Sequence, residues 1–261
     1  MTDTLLVDRH KFEIAWHGPA PDAAPTLVFL HEGLGCVALW RDFPANLAAA
    51  TGCGAFVYSR LGYGKSDPCE LPRPIRFMHT EGRRVLPRVL AAAGIKDCIL
   101  VGHSDGGSIA IVYAGGTPAV PLRGLITEAA HVFCEQLSVD SIRYAKKQYE
   151  KNDLREKLFK YHGANTECAF RGWNDVWLDP DFMRWNIEEY LPGIKVPMLS
   201  IQGADDQYGT AAQLAAIKEK TGSLTQTLLL ENCRHAPHAE QAQATFDAMR
   251  GFIRKLLETK N

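Results

Sequence analysis

Short apolar runs alternate along the chain with longer segments in which apolar and polar residues mix. Runs of four to eight apolar residues bounded by Gly, Pro or Asp are typical of buried strands, and amphipathic stretches between them are typical of helices. Helices are predicted at residues 40–50 and 79–93. The predicted strands are residues 5–8, 12–17, 26–30, 54–59, 97–101, 122–127, 196–203 and 227–230. This alternation predicts an α/β fold with a mostly parallel eight-stranded sheet.

Residues 102–106, Gly-His-Ser-Asp-Gly, follow directly on one of these apolar runs. They spell G-x-S-x-G at a point where a strand should turn into a helix. Such a turn holds the serine in a strained backbone conformation with its hydroxyl clear of the sheet, and flanking glycines remove side chains that would clash. Ser104 is therefore the predicted nucleophile.

A serine hydroxyl needs a base to take its proton and an acid to orient that base. The strand 196–203 ends in Gly and leads into Asp205 and Asp206, and the loop after strand 227–230 contains His235 and His238. The chain order serine, acid, histidine is satisfied. Residue types and order alone leave two candidates for each partner.

These residues resemble the α/β-hydrolase superfamily, specifically its lidded serine esterases. Two further segments are similar: Val-Phe-Leu-His at 28–31 followed by a Gly-rich turn, and Ser-Arg-Leu-Gly-Tyr-Gly-Lys-Ser at 59–66, which resembles the R-G-x-G-x-S segment of that family. The resemblance covers nearly the whole chain. It implies an α/β-hydrolase fold, Asp206 as the acid, and His235 as the base.

The resemblance also implies an oxyanion hole made by the backbone N–H groups of Asp105 and Gly33. The chain departs from the family pattern here, because Glu32 stands where a glycine is common. Either Glu32 or Gly33 could then donate. A glutamate charge beside a developing oxyanion would oppose it, so we expect Glu32 to point away or to be paired.

Residues 131–191 break the strand and helix alternation and are rich in charged and aromatic residues. They predict a helical lid inserted between the sixth and seventh strands, with residues 1–130 and 192–261 forming the core. Trp173 and Trp177 are the lid aromatics that we expect to line the acyl pocket. Basic residues between 143 and 160 could receive the phosphates of a coenzyme A thioester, but the acids among them favour a solvated face.

A narrower similarity connects the chain to amino-acid-ester hydrolases typified by valacyclovir hydrolase, through Ser-Asp-Gly-Gly at 104–107. In that subgroup the aspartate after the nucleophile holds the α-amino group of the substrate. The similarity implies that Asp105 binds a substrate amine, and Glu32 is a second candidate. A purely local hydrogen-bonding role for Asp105 is the alternative.

Composition limits the remaining possibilities. A net charge of −1 over 261 residues predicts neither a nucleic-acid nor an anionic-membrane partner. The start of the chain lacks a signal-peptide pattern, and seven cysteines without C-x-x-C spacing indicate free thiols, so a cytoplasmic protein is expected. Glu128, His131 and Glu135 have helical spacing for a metal, but hydrogen bonding that supports the catalytic groups, or an alternative position for the acid, suits them better. We expect no metal and no cofactor.

The sequence therefore predicts a serine hydrolase that cleaves a small or medium carboxylic ester through an acyl-enzyme intermediate. Thioester, C–C bond and amide cleavage use the same triad and stay open. A non-catalytic ligand-binding protein of the same fold is the alternative from another class. The oligomeric state is left open.

Overall fold

The structure is a computed structural model that describes residues 3–258. Its centre is a single eight-stranded sheet. The strands are β1 (Asp3–Val7), β2 (His10–His17), β3 (Thr26–Leu30), β4 (Gly54–Tyr58), β5 (Cys98–His103), β6 (Leu122–Glu128), β7 (Met198–Gly203) and β8 (Thr225–Leu230). The order across the sheet is β1-β2-β4-β3-β5-β6-β7-β8, with β1 and β2 antiparallel to their neighbours and the others parallel. The predicted α/β-hydrolase fold with a mostly parallel eight-stranded sheet is confirmed.

Helices cover both faces of the sheet. They are α1 (Phe43–Thr51), α2 (Phe77–Thr80), α3 (Leu86–Ala92), α4 (Asp105–Gly115), α5 (Gln136–Lys151), α6 (Leu154–His162), α7 (Thr166–Trp177), α8 (Ala211–Thr221), α9 (Pro237–Glu240) and α10 (Ala242–Glu258). In the part of the chain that the structure describes, no helix combines the length and the apolar character needed to cross a membrane.

Alternation along the central strands divides the core into two layers. In β3, Val28 and Leu30 join the apolar cluster that contains α3 and α4, whereas Leu27 and Phe29 join the cluster that contains α1 and α10. Successive side chains of a strand point to opposite faces. Because both faces are covered, the inner strands read as continuous apolar runs, which is why they could be located in the sequence.

The two predicted helices differ from the observed ones at their boundaries. The helix expected at 40–50 begins at Phe43, because Arg41 has a positive φ of 50° and Pro44 lies in the first turn, where a proline is tolerated. The helix expected at 79–93 is divided into α2 and α3 by a π-helical turn, Glu81–Val85.

The segment predicted as a lid, residues 131–191, is called the insert below. It contains α5, α6 and α7, and its two ends meet where the Ile187 N–H donates to the Val132 carbonyl at 2.8 Å and the Cys134 N–H donates to the Trp185 carbonyl at 3.2 Å. Of the core predicted at 1–130 and 192–261, residues 1–2 and 259–261 lie outside the described residues.

Candidate active site

Ser104 lies at the tight turn between β5 and α4. Its φ is 52° and its ψ is −119°, a backbone conformation that residues other than glycine rarely adopt. The strand before Ser104 and the helix after it hold the backbone in this conformation. The two glycines of the motif are required by packing: a Cβ on Gly102 would lie 2.4 Å from the Gly106 carbonyl oxygen, and one on Gly106 would lie 2.1 Å from that of Leu30. The motif therefore projects the serine hydroxyl from the carboxyl edge of the sheet.

The structure brings Ser104, His235 and Asp206 together. The Ser104 Oγ lies 2.9 Å from His235 Nε2, and His235 Nδ1 lies 2.9 Å from each oxygen of Asp206. Asp206 follows β7 and His235 lies in the loop after β8, so three loops at the carboxyl edge of the sheet supply the three groups.

The surroundings of Asp206 favour its ionised form. Burial alone would raise the pKa of this carboxyl, but the hydrogen bond and charge of His235 and the N–H of Tyr208, at 2.8 Å, hold it below its usual range. The amide of Gln202 also donates to Asp206, at 2.6 Å. An ionised Asp206 accepts a hydrogen bond from the Nδ1–H of His235, and this leaves Nε2 as the acceptor for the Ser104 hydroxyl.

The alternative candidates lie elsewhere. Asp205 is exposed to solvent. His238 is bound by Glu128, whose Oε2 accepts from both the backbone N–H and Nδ1 of His238 at 2.9 Å, and its ring lies 4.8 Å from that of Trp40. The geometry thus separates the two histidines that the sequence left as alternatives.

The two predicted oxyanion donors flank Ser104. Asp105 is the first residue of α4, so its N–H is one of those that a helix leaves without an intrahelical acceptor. Gly33 lines the same cavity as Ser104. Its loop is held by the buried Arg60, which donates to the carbonyls of His31 at 2.5 Å and of Glu32 at 3.0 Å.

Glu32 is paired, as expected for a charge in this loop. Its Oε2 lies 3.5 Å from Nδ1 of His103, and Nε2 of His103 donates to the His235 carbonyl at 2.6 Å. Burial would lower the pKa of His103, but contact with Glu32 and the charge of Glu32 outweigh it and raise the pKa to about 9. The contact with His103 and the charge of His103 likewise hold the pKa of Glu32 below its usual range, against burial. The glutamate charge is thus balanced by an imidazolium.

A cavity of about 90 Å³ opens at Ser104. Glu32, Trp173 and Trp177, the residues that the sequence proposed for substrate binding, are among the residues that line it. Residues that the sequence reasoning did not assign to the pocket also line it: Leu34, His131, Ser138, Ile142 and Tyr208. Tyr208 could have been anticipated from its place two residues after the acid, whereas Ser138 and Ile142 reach the cavity only through the docking of α5.

The Asp105 carboxylate lies behind the cavity wall. It is fully buried, one oxygen accepts from the Trp177 indole N–H at 3.2 Å, and the other lies 4.0 Å from the guanidinium of Arg60. Burial raises its pKa, and Arg60 and Trp177 act in the opposite direction. Of the two residues predicted to bind an amine, only Glu32 lines the cavity.

The three residues considered for a metal have separate partners. Glu128 binds His238, His131 Nε2 donates to the Tyr208 carbonyl at 3.1 Å, and Glu135 accepts from Thr210 at 2.7 Å. Across residues 3–258, the structure contains no group of three or more His, Cys, Asp and Glu side chains arranged to hold a metal ion.

Three of the basic residues between 143 and 160, Arg143, Arg155 and Lys157, pair with nearby acids. Arg143 pairs with Asp140 at 2.6 Å and Lys157 pairs with Asp153 at 2.9 Å, and these side chains are more than half exposed. These are helix-surface pairs at the i,i+3 and i,i+4 spacings. The arrangement matches the solvated face that the sequence favoured.

The model of the alpha/beta hydrolase family matches residues 27–248, and the chain belongs to that family. This membership supports hydrolase activity. No curated protein matches the chain in sequence.

Solved structures of several hydrolases have the same fold. The esterase RhEst1 from Rhodococcus sp. ECU1013 is 21% identical with a TM-score of 0.73, covering 98% of this chain and 99% of that one. An esterase from Exiguobacterium antarcticum is 17% identical with a TM-score of 0.75, covering 97% and 100%. Proline iminopeptidase from Mycobacterium smegmatis is 18% identical with a TM-score of 0.71, covering 98% of both. At these identities the likeness concerns the fold.

Proposed function

We propose that this protein is a serine hydrolase that cleaves a small or medium carboxylic ester through an acyl-enzyme intermediate. The observation that carries the proposal is the continuous chain of hydrogen bonds from Ser104 through His235 to Asp206. The Ser104 end of this chain lies at a cavity. Nucleophile, base and orienting acid are each within hydrogen-bonding reach of the next, as acyl transfer requires.

In the first half of the reaction, Ser104 Oγ attacks the ester carbonyl while His235 Nε2 takes its proton. Asp206 keeps the imidazole in the required tautomer and stabilises the imidazolium. The tetrahedral intermediate then collapses, and His235 gives the proton to the departing alkoxide. In the second half, His235 activates a water that hydrolyses the acyl-serine and releases the acid.

The negative charge of the tetrahedral intermediate would be received by the N–H groups of Asp105 and Gly33. Removing one such donor typically costs ~10²–10³ in turnover. The pairing of Glu32 with His103 removes the objection that a glutamate in this loop would repel the oxyanion. His103 also donates a hydrogen bond to the His235 carbonyl. It therefore both neutralises Glu32 and helps to position the base.

The size of the cavity favours a short acyl group. The cavity has a volume of about 90 Å³, which is below the ~150 Å³ of an engineered cavity that accommodates benzene. Trp173 and Trp177, both on α7, form part of its wall. We propose that residues 131–191 act as a lid on the core formed by residues 1–130 and 192–261, and that larger esters require α7 to move.

The decisive experiment is labelling with a fluorophosphonate, which reacts with activated serines, together with hydrolysis of p-nitrophenyl acetate. Ser138 is a matched control because it is buried and lines the same cavity. Wild type and Ser138→Ala should label and hydrolyse the ester, and Ser104→Ala should do neither, with a loss of ~10⁴–10⁶ in turnover. Labelling that persists in Ser104→Ala would refute the assignment of the nucleophile.

The alternatives separate in the same assays. A wild-type protein that neither labels nor turns over any ester would favour the non-catalytic ligand-binding reading. A labelled protein that prefers an acyl-CoA, an amide or a diketone over a panel of p-nitrophenyl esters would retain the proposed triad. The esterase hypothesis would then give way to a thioesterase, amidase or C–C hydrolase hypothesis, respectively.

A further inference from the structure

Two cysteines distant in sequence meet at the junction of the insert and the core. Cys69 lies in the loop after β4, and Cys168 lies in the first turn of α7. Their sulfur atoms are 3.1 Å apart across a sequence separation of 99 residues. Both are free and half-buried, so the pair is open to small solutes.

The surroundings hold the two thiols together. Gly62 has a φ of +86°, and a Cβ at that position would lie 2.8 Å from each sulfur, so glycine leaves the space in which they meet. The Cys69 N–H donates to Cys168 Sγ at 3.4 Å, and the buried Arg73 donates to Cys69 Sγ at 3.3 Å. A disulfide has a sulfur separation of ~2.05 Å, so the bond needs a closure of about 1 Å.

Cys168 differs from the other cysteines in the direction of its pKa shift. The contact with Cys69, the backbone N–H of Cys69 and the nearby Arg73 outweigh burial and lower the pKa of Cys168 to about 6. Burial raises the pKa of Cys134, the other half-buried cysteine, to about 11. The thiolate is the form of cysteine that reacts with peroxides, so the lowered pKa makes Cys168 the more reactive thiol of the two.

We propose that Cys69 and Cys168 are a reversible oxidation site at which a peroxide forms a disulfide between α7 and the core. The Cys168 thiolate attacks one oxygen of hydrogen peroxide and the O–O bond breaks. Hydroxide is released, and Cys168 is left as a sulfenic acid. Cys69 sulfur then attacks Cys168 sulfur, its proton passes to the departing hydroxide, and water leaves. In total two thiols and one peroxide give one disulfide and two waters, and a dithiol reductant reverses the reaction.

The link would restrain the part of the insert that forms the cavity wall. Trp173 lies five residues beyond Cys168 on the same helix, and its indole packs so closely on Gly33 that a Cβ there would lie 2.2 Å from the ring. Tying α7 to the core loop opposes the movement that admits large acyl groups. This consequence rests on the proposed function, whereas formation of the disulfide does not.

The test begins with chemistry alone. Purified full-length protein is treated with hydrogen peroxide, free thiols are alkylated, and the digest is analysed by mass spectrometry with and without a dithiol. We expect one linked peptide pair, containing Cys69 and Cys168, that disappears on reduction. Cys134→Ser, the matched control, should form the same link, while Cys69→Ser should instead accumulate higher oxidation states at Cys168. Absence of the link in wild type, or equal linkage among other cysteines, would overturn the proposal.

Two physical measurements follow on the wild type itself, so they do not depend on a variant that folds poorly. Closing a loop of this length should raise Tm by roughly 10 °C in the oxidised protein. If the protein is the proposed esterase, oxidation should lower kcat/KM for p-nitrophenyl octanoate relative to the acetate by about tenfold. If the disulfide forms but this ratio does not change, the inferred effect on the lid is refuted and the oxidation site stands. If the protein has no esterase activity, the disulfide can still be detected by mass spectrometry.

Discussion

Replacing Glu32 by glutamine removes one member of the buried ion pair with His103 and should change how stability depends on pH. The carboxylate lies 3.5 Å from Nδ1 of His103, a buried residue at the end of β5. The other titratable groups that face this imidazole are Glu128, His235 and His238. Of the two acids, Glu32 acts more strongly in raising the pKa of His103, so its removal leaves burial as the leading influence.

The magnitude follows from proton binding. His103 has a pKa of about 9 when folded and an ordinary value of 6.5, a difference that corresponds to roughly 3 kcal/mol. Because the folded state binds the proton more tightly, this stabilisation is fully present below pH 6.5 and is lost as the pH rises through about 9. At higher pH, Glu32 retains a charge without its cationic partner, so the wild type should lose its advantage over Glu32→Gln.

Urea unfolding followed by tryptophan fluorescence measures this directly. We expect wild type to exceed Glu32→Gln in free energy of unfolding by up to ~3 kcal/mol near pH ~6.5, and the difference to shrink towards zero by pH ~9.5. Asp205→Asn, which removes an exposed carboxylate from a nearby loop, serves as the control and should follow wild type throughout.

Parallel curves for wild type and Glu32→Gln across that pH interval would refute the reasoning. They would mean that His103 is neutral when folded and that Glu32 contributes no proton-linked stability. A difference that grows with pH would refute it more strongly, because the sign of the linkage would be reversed.

Three further changes test the site. Asp206→Asn should lower turnover by ~10⁴ because the imidazole loses its correct tautomer, while Asp205→Asn stays near wild type; the reverse ranking in kcat would exchange the two assignments. Trp173→Ala should reduce the free energy of unfolding by ~3–5 kcal/mol and shift the preference among p-nitrophenyl esters towards longer acyl chains, and an unchanged chain-length profile would exclude Trp173 from the acyl wall. An amino-acid ester should be cleaved faster than its N-acetylated form, and Glu32→Gln should abolish that preference; equal kcat/KM for the two esters in wild type would reject amine recognition.

The sequence was informative wherever a function depends on a short contiguous pattern. The strand ending at His103, the glycines around Ser104 and the helix after it are all local, and they predicted a turn that the structure contains. Predicted and observed strand ends differ by at most two residues, because the inner strands are buried on both faces and so are apolar throughout. Chain order and family resemblance then selected Asp206 and His235, which the structure places beside Ser104.

The sequence was uninformative where contacts depend on how distant elements dock. The direction of the Asp105 carboxylate is set by Trp177 of the insert and by Arg60 of the core, and the residues of the motif itself carry no sign of it. Cys69 and Cys168 form no recognisable spacing pattern, since they meet only when α7 packs on the loop after β4. The sequence also does not predict which residues of α5 and α7 form the pocket wall. The apolar positions of these helices are equally consistent with packing inside the insert.

The junction at the two ends of the insert has a consequence for how this protein can diversify. Because Val132 is hydrogen-bonded to Ile187 and Cys134 to Trp185, the chain leaves and re-enters the sheet region at nearly one point. A loop anchored in this way can be lengthened at small entropic cost, since each doubling of length adds only ~0.6 kcal/mol to closure. We expect the insert to be an exchangeable module: grafting a different helical segment between these two anchor points should change which substrates fit, while the reacting groups keep their positions on the sheet.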